Sequence, residues 1–232
     1  MKKLAAALVF AAFSGLSCAY SAEGTFAFGI GTSYRFFSDD QQWKDSSGNI
    51  YEQRMTGSSL GTNLFVDLTR FFSLTGGVRF ALGQLNFPDA YNVNSESWNL
   101  IQYEFGAEFK VPVGNRYFSF SPKIGIDYTG YLSGQVAGSG LTSDEQNEFS
   151  PLYLILGTNI DIFVDEHSFF RIPINFGVSL NSQLSNSYYN SAYTLDGSPG
   201  TYYQSYNSSF TIGFEYGYTI GEVHQRRYWG IY

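Results

Sequence analysis

Residue types that commonly act in catalysis or metal binding are few in this sequence. Its 232 residues include two histidines, His167 and His224, and a single cysteine, Cys18. Neither histidine lies at a recognisable spacing from a serine and an aspartate, so no nucleophilic triad is predicted. One cysteine cannot form a disulfide within the chain, and two histidines nearly exclude a structural zinc site. The sequence therefore predicts no catalytic residue, no cofactor and no metal site, and we do not expect an enzyme.

Charged side chains within regularly alternating segments are the more informative set. Five of them are basic and six are acidic, and all occupy the same alternate positions of their segments. They are Arg35, Asp67, Arg79, Glu104, Glu108, Lys110, Lys123, Asp127, Asp161, Arg171 and Glu215. A charge inside a narrow protein interior must be paired, because an unpaired one is costly to bury. Since the two signs are nearly equal in number, we favour a packed, structural ion-pair network over a gated path for small solutes.

Strict alternation of large and small residues defines the segments that carry these charges. A period of two residues is typical of β-strands, and the stretch from Phe26 to Phe36 shows it most clearly. Pro122 and Pro173 would each remove a hydrogen bond, so each predicts a bulge, a strand end or a later strand start. We predict eight strands, at about residues 24–37, 56–68, 72–83, 98–112, 117–130, 151–163, 168–181 and 208–221.

The two faces of these predicted strands differ in composition. One face carries large apolar side chains and no charge, whereas the other carries the charges and almost all of the strand glycines. The interior of an eight-stranded barrel is only just wide enough for side chains, so it cannot hold the many aromatic rings of the large face. That face must point outward, and lipid is the solvent that accommodates it.

The connections between the segments alternate between long and short. The gaps 38–55, 84–97, 131–150 and 182–207 are long and polar, whereas 69–71, 113–116 and 164–167 are short. Each segment also exceeds the roughly ten residues with which a tilted strand crosses an apolar band of about 25 Å. Long extracellular loops and short periplasmic turns are typical of bacterial outer-membrane barrels. With the N-terminus in the periplasm, every long connection lies outside the cell.

The N-terminus has the features of a secretory signal peptide. Lysines at positions 2 and 3 precede an apolar stretch over residues 4–13 and a small-residue region over 14–22. Cleavage after position 19 or 21 fits the small residues there, so residues 1–21 form the predicted signal peptide. A membrane anchor is disfavoured, because ten apolar residues fall short of the roughly 20 that a spanning helix needs. A lipid attached to Cys18 is a second, less favoured interpretation.

Taken together, these patterns resemble small eight-stranded bacterial outer-membrane β-barrels. The chain is similar to the transmembrane domain of the outer membrane protein A group and to the outer membrane protein X and W types, over residues 24–232 and without a family-specific motif. The resemblance implies an all-β fold, an eight-stranded antiparallel up-and-down transmembrane β-barrel over residues 22–221, in the bacterial outer membrane. Such chains usually end on an aromatic residue of the last strand. Residues 222–232, which end at Tyr232, are therefore either a periplasmic tail, which we favour, or a shifted end of that strand.

Aromatic residues near the strand ends predict girdles at the two membrane interfaces. Those expected at the outer interface are Tyr34, Phe36, Trp98 and Tyr131. Those expected at the inner interface are Phe26, Phe71, Phe72, Tyr117, Phe118, Phe169 and Tyr218.

The long loops suggest partners at the cell surface. The connection 182–207 is rich in tyrosine, serine and asparagine, a composition typical of adaptable contact surfaces. Acidic residues in 38–55 and 131–150 match no calcium-loop spacing. We expect a monomer in outer-membrane lipid and lipopolysaccharide, with host or environmental ligands at the loops. The 20 acidic residues outnumber the 13 basic ones, so nucleic acid is not an expected partner. The predicted role is structural or adhesin-like, and a narrow channel for small solutes is the alternative.

Overall fold

A computed structural model describes most of the chain beyond its N-terminal segment. The described residues are 26–44, 48–86, 95–115, 117–136, 138–141, 146, 150–180, 201–220 and 229–230. The predicted signal peptide, Cys18 and His224 lie outside them, so the predicted domain boundaries stay predictions. Among the described residues, no helix is long and apolar enough to cross a membrane.

Eight long strands make up nearly all of the described chain. They are β1 (Phe26–Lys44), β2 (Ile50–Asp67), β3 (Phe72–Asn86), β4 (Ser95–Lys110), β5 (Phe118–Val136), β6 (Leu152–Phe163), β7 (Ser168–Ser179) and β8 (Thr201–Ile220). Each strand pairs antiparallel with the next one in the chain. β8 then pairs with β1, from Phe26↔Ile220 to Lys44↔Thr201, and this pairing closes the ring. The predicted eight-stranded up-and-down barrel is confirmed.

The strand ends agree with the prediction at one end of the barrel and not at the other. At the end with short connections, hereafter the turn end, the predicted and observed bounds agree within about two residues. At the opposite end, hereafter the loop end, six strands run further than predicted. β1 continues to Lys44 and β2 begins at Ile50, so most of the predicted loop 38–55 is a hairpin of paired strands.

The outward face of the barrel is a continuous apolar surface. The exposed side chains include Leu60, Phe80, Phe105, Leu156 and Phe214, each of them more than 49% accessible. The charged face of the same strands is buried, which confirms the assignment of the two faces. An exterior of this composition is stable in lipid rather than in water.

Proline interrupts the hydrogen-bond ladder at one seam of the ring. Between β7 and β8 the pairing runs from Ser208↔Val178 to Ile212↔Ile174 and resumes at Glu215↔Arg171. Pro173 lies within the gap and has no N–H to donate. Pro122 lies inside β5, just beyond the last β4 pair at Lys110↔Lys123, and its carbonyl accepts a hydrogen bond from the Val111 N–H at 2.9 Å. Neither proline marks a later strand start.

Three short pairings supplement the ring. Val113–Gly114 and Ser139–Gly140 pair antiparallel with β5, and Trp229–Gly230 pairs in parallel with Val113–Gly114. The C-terminal Trp229–Gly230 segment thus lies beside the connection between β4 and β5, whereas β8 ends at Ile220. The predicted choice between a tail and a shifted strand concerns residues 222–232, most of which lie outside the described chain.

Candidate functional site in the barrel interior

The eleven charged residues singled out in the sequence all have side chains that are buried inside the barrel. Nine of the residues are at most 7% exposed, and the side chains of Glu104 and Asp127 are 8% and 13% exposed. Ion pairs between strands that are not neighbours show that these side chains meet across the interior. Arg35 of β1, for example, contacts Asp127 of β5.

The central cluster consists of Arg35, Arg79, Glu104 and Asp127, near the middle of their strands. Arg35 Nη1 lies 2.5 Å from Glu104 Oε1, and Arg35 Nη2 lies 2.7 Å from Asp127 Oδ2. Arg79 Nε lies 2.5 Å from the same Glu104 oxygen. One carboxylate oxygen therefore joins two guanidinium groups from β1 and β3, and the cluster as a whole has no net formal charge.

Neutral groups complete the contacts of the central cluster. Arg35 donates from Nε to Thr211 Oγ1 at 3.0 Å and from Nη1 to Thr129 Oγ1 at 3.2 Å. Arg79 donates to the Ser33 hydroxyl and, at 3.3 Å, to Asn63 Oδ1. These contacts connect six of the eight strands, so the cluster cross-links the barrel.

The turn-end cluster consists of Asp67, Lys110, Asp161 and Arg171. Arg171 donates two hydrogen bonds to each aspartate: to Asp161 at 2.7 and 3.2 Å, and to Asp67 at 2.8 and 3.3 Å. Lys110 Nζ lies 2.6 Å from Asp67 Oδ1, and Ser73 donates to the same oxygen at 2.6 Å. Paired hydrogen bonds of this kind are the strongest arginine–carboxylate geometry.

Aromatic rings cover the guanidinium of Arg171. Its Cζ lies 4.1 Å from the ring centroid of Phe65 and 5.2 Å from that of Phe169. A cation over an aromatic face is stabilised by the ring quadrupole, and the effect is larger away from water. Phe65, Phe169 and Ala27 form a buried apolar group, the turn-end cap.

A second apolar group closes the other end of the interior. Met55, Ala81, Trp98 and Leu100 form this loop-end cap, with Phe37 and Tyr131 packed against it. Trp98 and Phe169 are each only 2% exposed, so the prediction that they belong to interfacial girdles is wrong. Both lie at the alternate positions of their strands that face inward. This position in the alternation is the sequence feature that could have predicted their burial.

Glycines provide the room that these large interior side chains need. A Cβ atom at Gly217 would lie 2.3 Å from the Phe169 ring, and one at Gly61 would lie 2.5 Å from Arg79 Cγ. Real Cβ atoms do not approach other atoms this closely, so neither position has room for a larger residue. These two glycines therefore face specific bulky partners on neighbouring strands.

The remaining three charged residues of the predicted network are Glu108, Lys123 and Glu215, which belong to neither cluster. Lys123 donates to both oxygens of Glu108, at 2.8 and 3.0 Å. Glu215 accepts a hydrogen bond from Asn63 Nδ2 at 3.2 Å and forms no ion pair with any basic residue that the structure describes. All five basic members of the predicted network are thus paired with acidic residues. Among the six acidic members, Glu215 is the one for which the described residues provide no ion pair.

Small cavities separate these layers. The main cavity, of about 50 Å³, lies between the central and the turn-end clusters and is lined by residues of both. Two further cavities have volumes of about 30 Å³, beside the turn-end cluster, and about 20 Å³, beneath the loop-end cap. Within the described residues, no group of three or more histidine, cysteine or acidic side chains could hold a metal ion.

His167 occupies the turn between β6 and β7. Its Nδ1 lies 3.1 Å from the Thr219 carbonyl oxygen, and its ring stacks on Tyr218 with centroids 5.5 Å apart. In the same turn, Asp165 accepts hydrogen bonds from the backbone N–H groups of Ser168 and His167, both at 2.7 Å. These bonds, that of Ser168 first, lower the pKa of Asp165 below its ordinary value. The absence of enzymatic activity stays a prediction.

Several solved outer-membrane proteins align with most of the chain at low identity and at TM-scores below 0.5. No protein-family model matches the chain, and no curated protein sequence matches it. The outer membrane protein OprG from Pseudomonas aeruginosa aligns over 86% of this chain and 97% of its own, at 11% identity and a TM-score of 0.49. Ail, the attachment invasion locus protein of Yersinia pestis, aligns over 85% and 99%, at 15% identity and a TM-score of 0.36. The outer membrane protease OmpT from Escherichia coli aligns over 84% and 97%, at 8% identity and a TM-score of 0.38.

At these identities the likeness concerns the fold and assigns no activity to this chain. The closed ring, the apolar exterior and the charged interior are the features of a membrane-spanning β-barrel. The chain is an integral β-barrel of the bacterial outer-membrane type.

Proposed function

We propose that this protein is a closed barrel that anchors surface-interacting loops in the outer membrane. The observation that carries the proposal is the layered interior. Two apolar caps enclose two ion-paired clusters, and the cavities between them have volumes of only about 20 to 50 Å³. An interior filled in this way supports a role as a rigid platform rather than as a solute path.

The strands themselves support a role at the loop end. β1 and β2 extend as a paired hairpin to Lys44 and Ile50, beyond the apolar belt that ends near Phe36 and Leu60. Arg54 and Asp40 form an ion pair on neighbouring strands of this extension. A barrel wall that continues past the lipid would hold the connection between β7 and β8 away from the membrane surface.

Cell-surface display tests this role. Cells that display the full barrel would be compared with cells whose residues 183–200 are replaced by a short glycine–serine linker. The matched control replaces residues 142–149 in the same way. We expect the first replacement alone to reduce attachment to epithelial monolayers and to polystyrene. Equal attachment by all three strains, at equal surface amounts, would contradict the role.

A narrow channel remains the second candidate, and the interrupted seam between β7 and β8 is the observation that favours it. Pro173 leaves two residue positions of β8, Gly213 and Phe214, outside the regular pairing. The rings of Phe170 and Phe214 stack across this seam at 5.2 Å and cover it from the lipid side. Liposomes that contain the protein and swell in small sugars or amino acids would favour the channel over the platform.

A further inference from the structure

Basic residues outside the barrel interior are unevenly distributed along the chain. Of the 13 basic residues, two lie in the predicted signal peptide and five belong to the interior network, which leaves six. Four of these six belong to the β2–β3 turn, the β4–β5 connection and the C-terminal segment, and they are Arg70, Arg116, Arg226 and Arg227. Arg70 is the member of this set that lies among the described residues, and the other three enter the argument by their charge and place in the sequence.

Pairing between strands brings these three segments to the same side of the turn end. β3 pairs with β4, and the Lys110 N–H donates to the Phe71 carbonyl oxygen at 2.8 Å, so the β2–β3 turn and the β4–β5 connection are adjacent. Trp229–Gly230 pairs in parallel with Val113–Gly114 and therefore lies beside the β4–β5 connection. This side of the turn end, made of the β2–β3 turn, the β4–β5 connection and Trp229–Gly230, is hereafter the basic rim.

The opposite side of the turn end carries acidic residues instead. The β6–β7 turn contains Asp165 and Glu166 and no lysine or arginine. In the sequence, Glu23 precedes β1 and Glu222 follows β8, the two strands that close the ring on that side. Positive charge at this end of the barrel therefore belongs to one side, which an anionic partner would contact in preference to the other.

Arg70 lies at the edge of the lipid-facing surface. Its Cζ lies 4.5 Å from the ring centroid of Phe71, and that ring stacks on Phe109 with centroids 6.1 Å apart. Phe109 and Val111 are both exposed on the outward face of the barrel. Arg70 also borders the small cavity beside the turn-end cluster, so it lies where the apolar exterior meets the rim. This boundary is the level at which lipid headgroups begin.

The phosphate group of a phospholipid fits this arrangement. The short turns of an outer-membrane barrel lie on the periplasmic side, so the basic rim is next to the headgroups of that leaflet. Each basic residue near a membrane surface raises the affinity for anionic lipid by about fivefold, and a planar guanidinium matches the geometry of phosphate oxygens. A periplasmic polymer such as peptidoglycan would meet the rim from beyond the membrane, whereas Arg70 lies against rings that contact lipid.

We infer that the basic rim binds the phosphate headgroup of an anionic phospholipid such as phosphatidylglycerol, with Arg70 as the contact on the described chain. The acyl chains of this lipid would lie along Phe109 and Val111. This inference concerns the turn end and does not depend on what the extracellular loops bind.

Native mass spectrometry tests the site, because it counts bound lipids and distinguishes their headgroups. The full chain, refolded in nonionic detergent micelles, would be mixed with equal amounts of dioleoyl phosphatidylglycerol and dioleoyl phosphatidylcholine, which have the same acyl chains. We expect the wild type to retain phosphatidylglycerol preferentially, and Arg70→Gln to lower this preference about fivefold. Arg54→Gln, which removes an exposed arginine at the loop end, is the matched control and should keep the wild-type preference.

A second variant keeps the test decisive if Arg70→Gln does not refold. Phe71→Leu keeps the charge but removes the ring on which the guanidinium lies, and it should lower the preference about two- to fivefold. Equal retention of the two lipids by the wild type, or the same preference in Arg70→Gln and Arg54→Gln, would overturn the inference. Binding of purified peptidoglycan that depends on Arg70, without any preference between the lipids, would overturn it as well.

Discussion

The central cluster and the turn-end cluster contain the same charges but are bonded differently. Each has two basic and two acidic side chains. Arg171 directs all three of its nitrogen atoms at carboxylates and lies against two aromatic rings. Arg35 divides its donors between two carboxylates and two threonine hydroxyls. Equal charge therefore does not mean equal dependence on one residue. A hydroxyl group that loses a donor is neutral and can itself donate to another partner, whereas a carboxylate can only accept and keeps its charge.

The two clusters also differ in which carboxylates would lose their ion-pair partner on removal of Arg171 or of Arg35. Without Arg171, Asp161 would lose the ion-pair partner that the structure gives it, whereas Asp67 would keep Lys110. Without Arg35, Asp127 would be stranded, whereas Glu104 would keep Arg79. The turn-end cluster loses four charge-assisted hydrogen bonds, and the central cluster loses fewer. The comparison thus predicts an order of stability effects.

Substitution of Arg171 should have the largest effect. We expect Arg171→Met to lower the free energy of unfolding by about 3–5 kcal/mol, because it breaks a buried ion pair and strands a carboxylate. Urea unfolding of the refolded barrel in micelles measures this change. The double variant R171M/D161N should recover part of the loss. A double variant that is no more stable than Arg171→Met would show that the stranded charge is not the cause.

Substitution of Arg35 should have a smaller effect. We expect Arg35→Met to cost about 2–3 kcal/mol, because Thr129 and Thr211 can find other partners and Glu104 keeps Arg79. The same urea titration measures it, with R35M/D127N as the matched rescue variant. An effect larger than that of Arg171→Met would reverse the proposed order of the clusters.

Glycine substitution tests the packing of the turn-end cap. We expect Gly217→Ala to cost about 1–3 kcal/mol, because the new methyl group overlaps the Phe169 ring that covers Arg171. Gly140→Ala is the matched control, since its Cβ would meet no atom within 4 Å. For each variant, the temperature at which the folded band disappears in heat-dependent gel mobility measures the loss of stability. Equal shifts for the two variants would argue against tight packing at the cap.

The turn at Asp165 should produce the smallest effect, visible in its pH dependence. Its folded pKa is lowered, so its contribution is present at neutral pH and disappears as the pH falls through that lowered pKa. An NMR titration of the Asp165 carboxyl in micelles should give a pKa below the ordinary aspartate value. In Asp165→Asn the turn should remain, but its stability should no longer decrease as the pH falls through the acidic range. An ordinary pKa for Asp165 would contradict the observed hydrogen bonding.

The sequence was sufficient to predict the strands and their faces, because lipid imposes a period of two on every strand it contacts. The prediction stopped short at the loop end, where Ser38 and Asp40 continue the outward face of β1 as polar residues. Beyond the apolar belt, hydrogen bonding between strands persists although the hydrophobic alternation does not. A prediction from sequence detects the hydrophobic alternation but not the hydrogen bonding between strands.

The composition of the interior was predictable, but its pairing was not. The positions of all eleven charges follow from the same alternation that places the lipid-facing residues. The contact of Arg35 with Asp127, 92 residues away in the chain, depends on how the closed ring staggers its strands. The inward positions of Trp98 and Phe169 were readable from strand register, yet both residues were assigned to the interfacial girdles because they are large and aromatic. Matching glycines at Gly29, Gly57 and Gly217 were the compensating signal.

Conductance in planar bilayers tests the closed interior most directly. Purified, refolded wild-type protein should give no large, steady channel openings, because caps and ion pairs occupy the barrel from end to end. Arg171→Met combined with Phe169→Ala and Trp98→Ala should raise the conductance if these layers block the path. Large and steady openings of the wild-type protein would contradict the account.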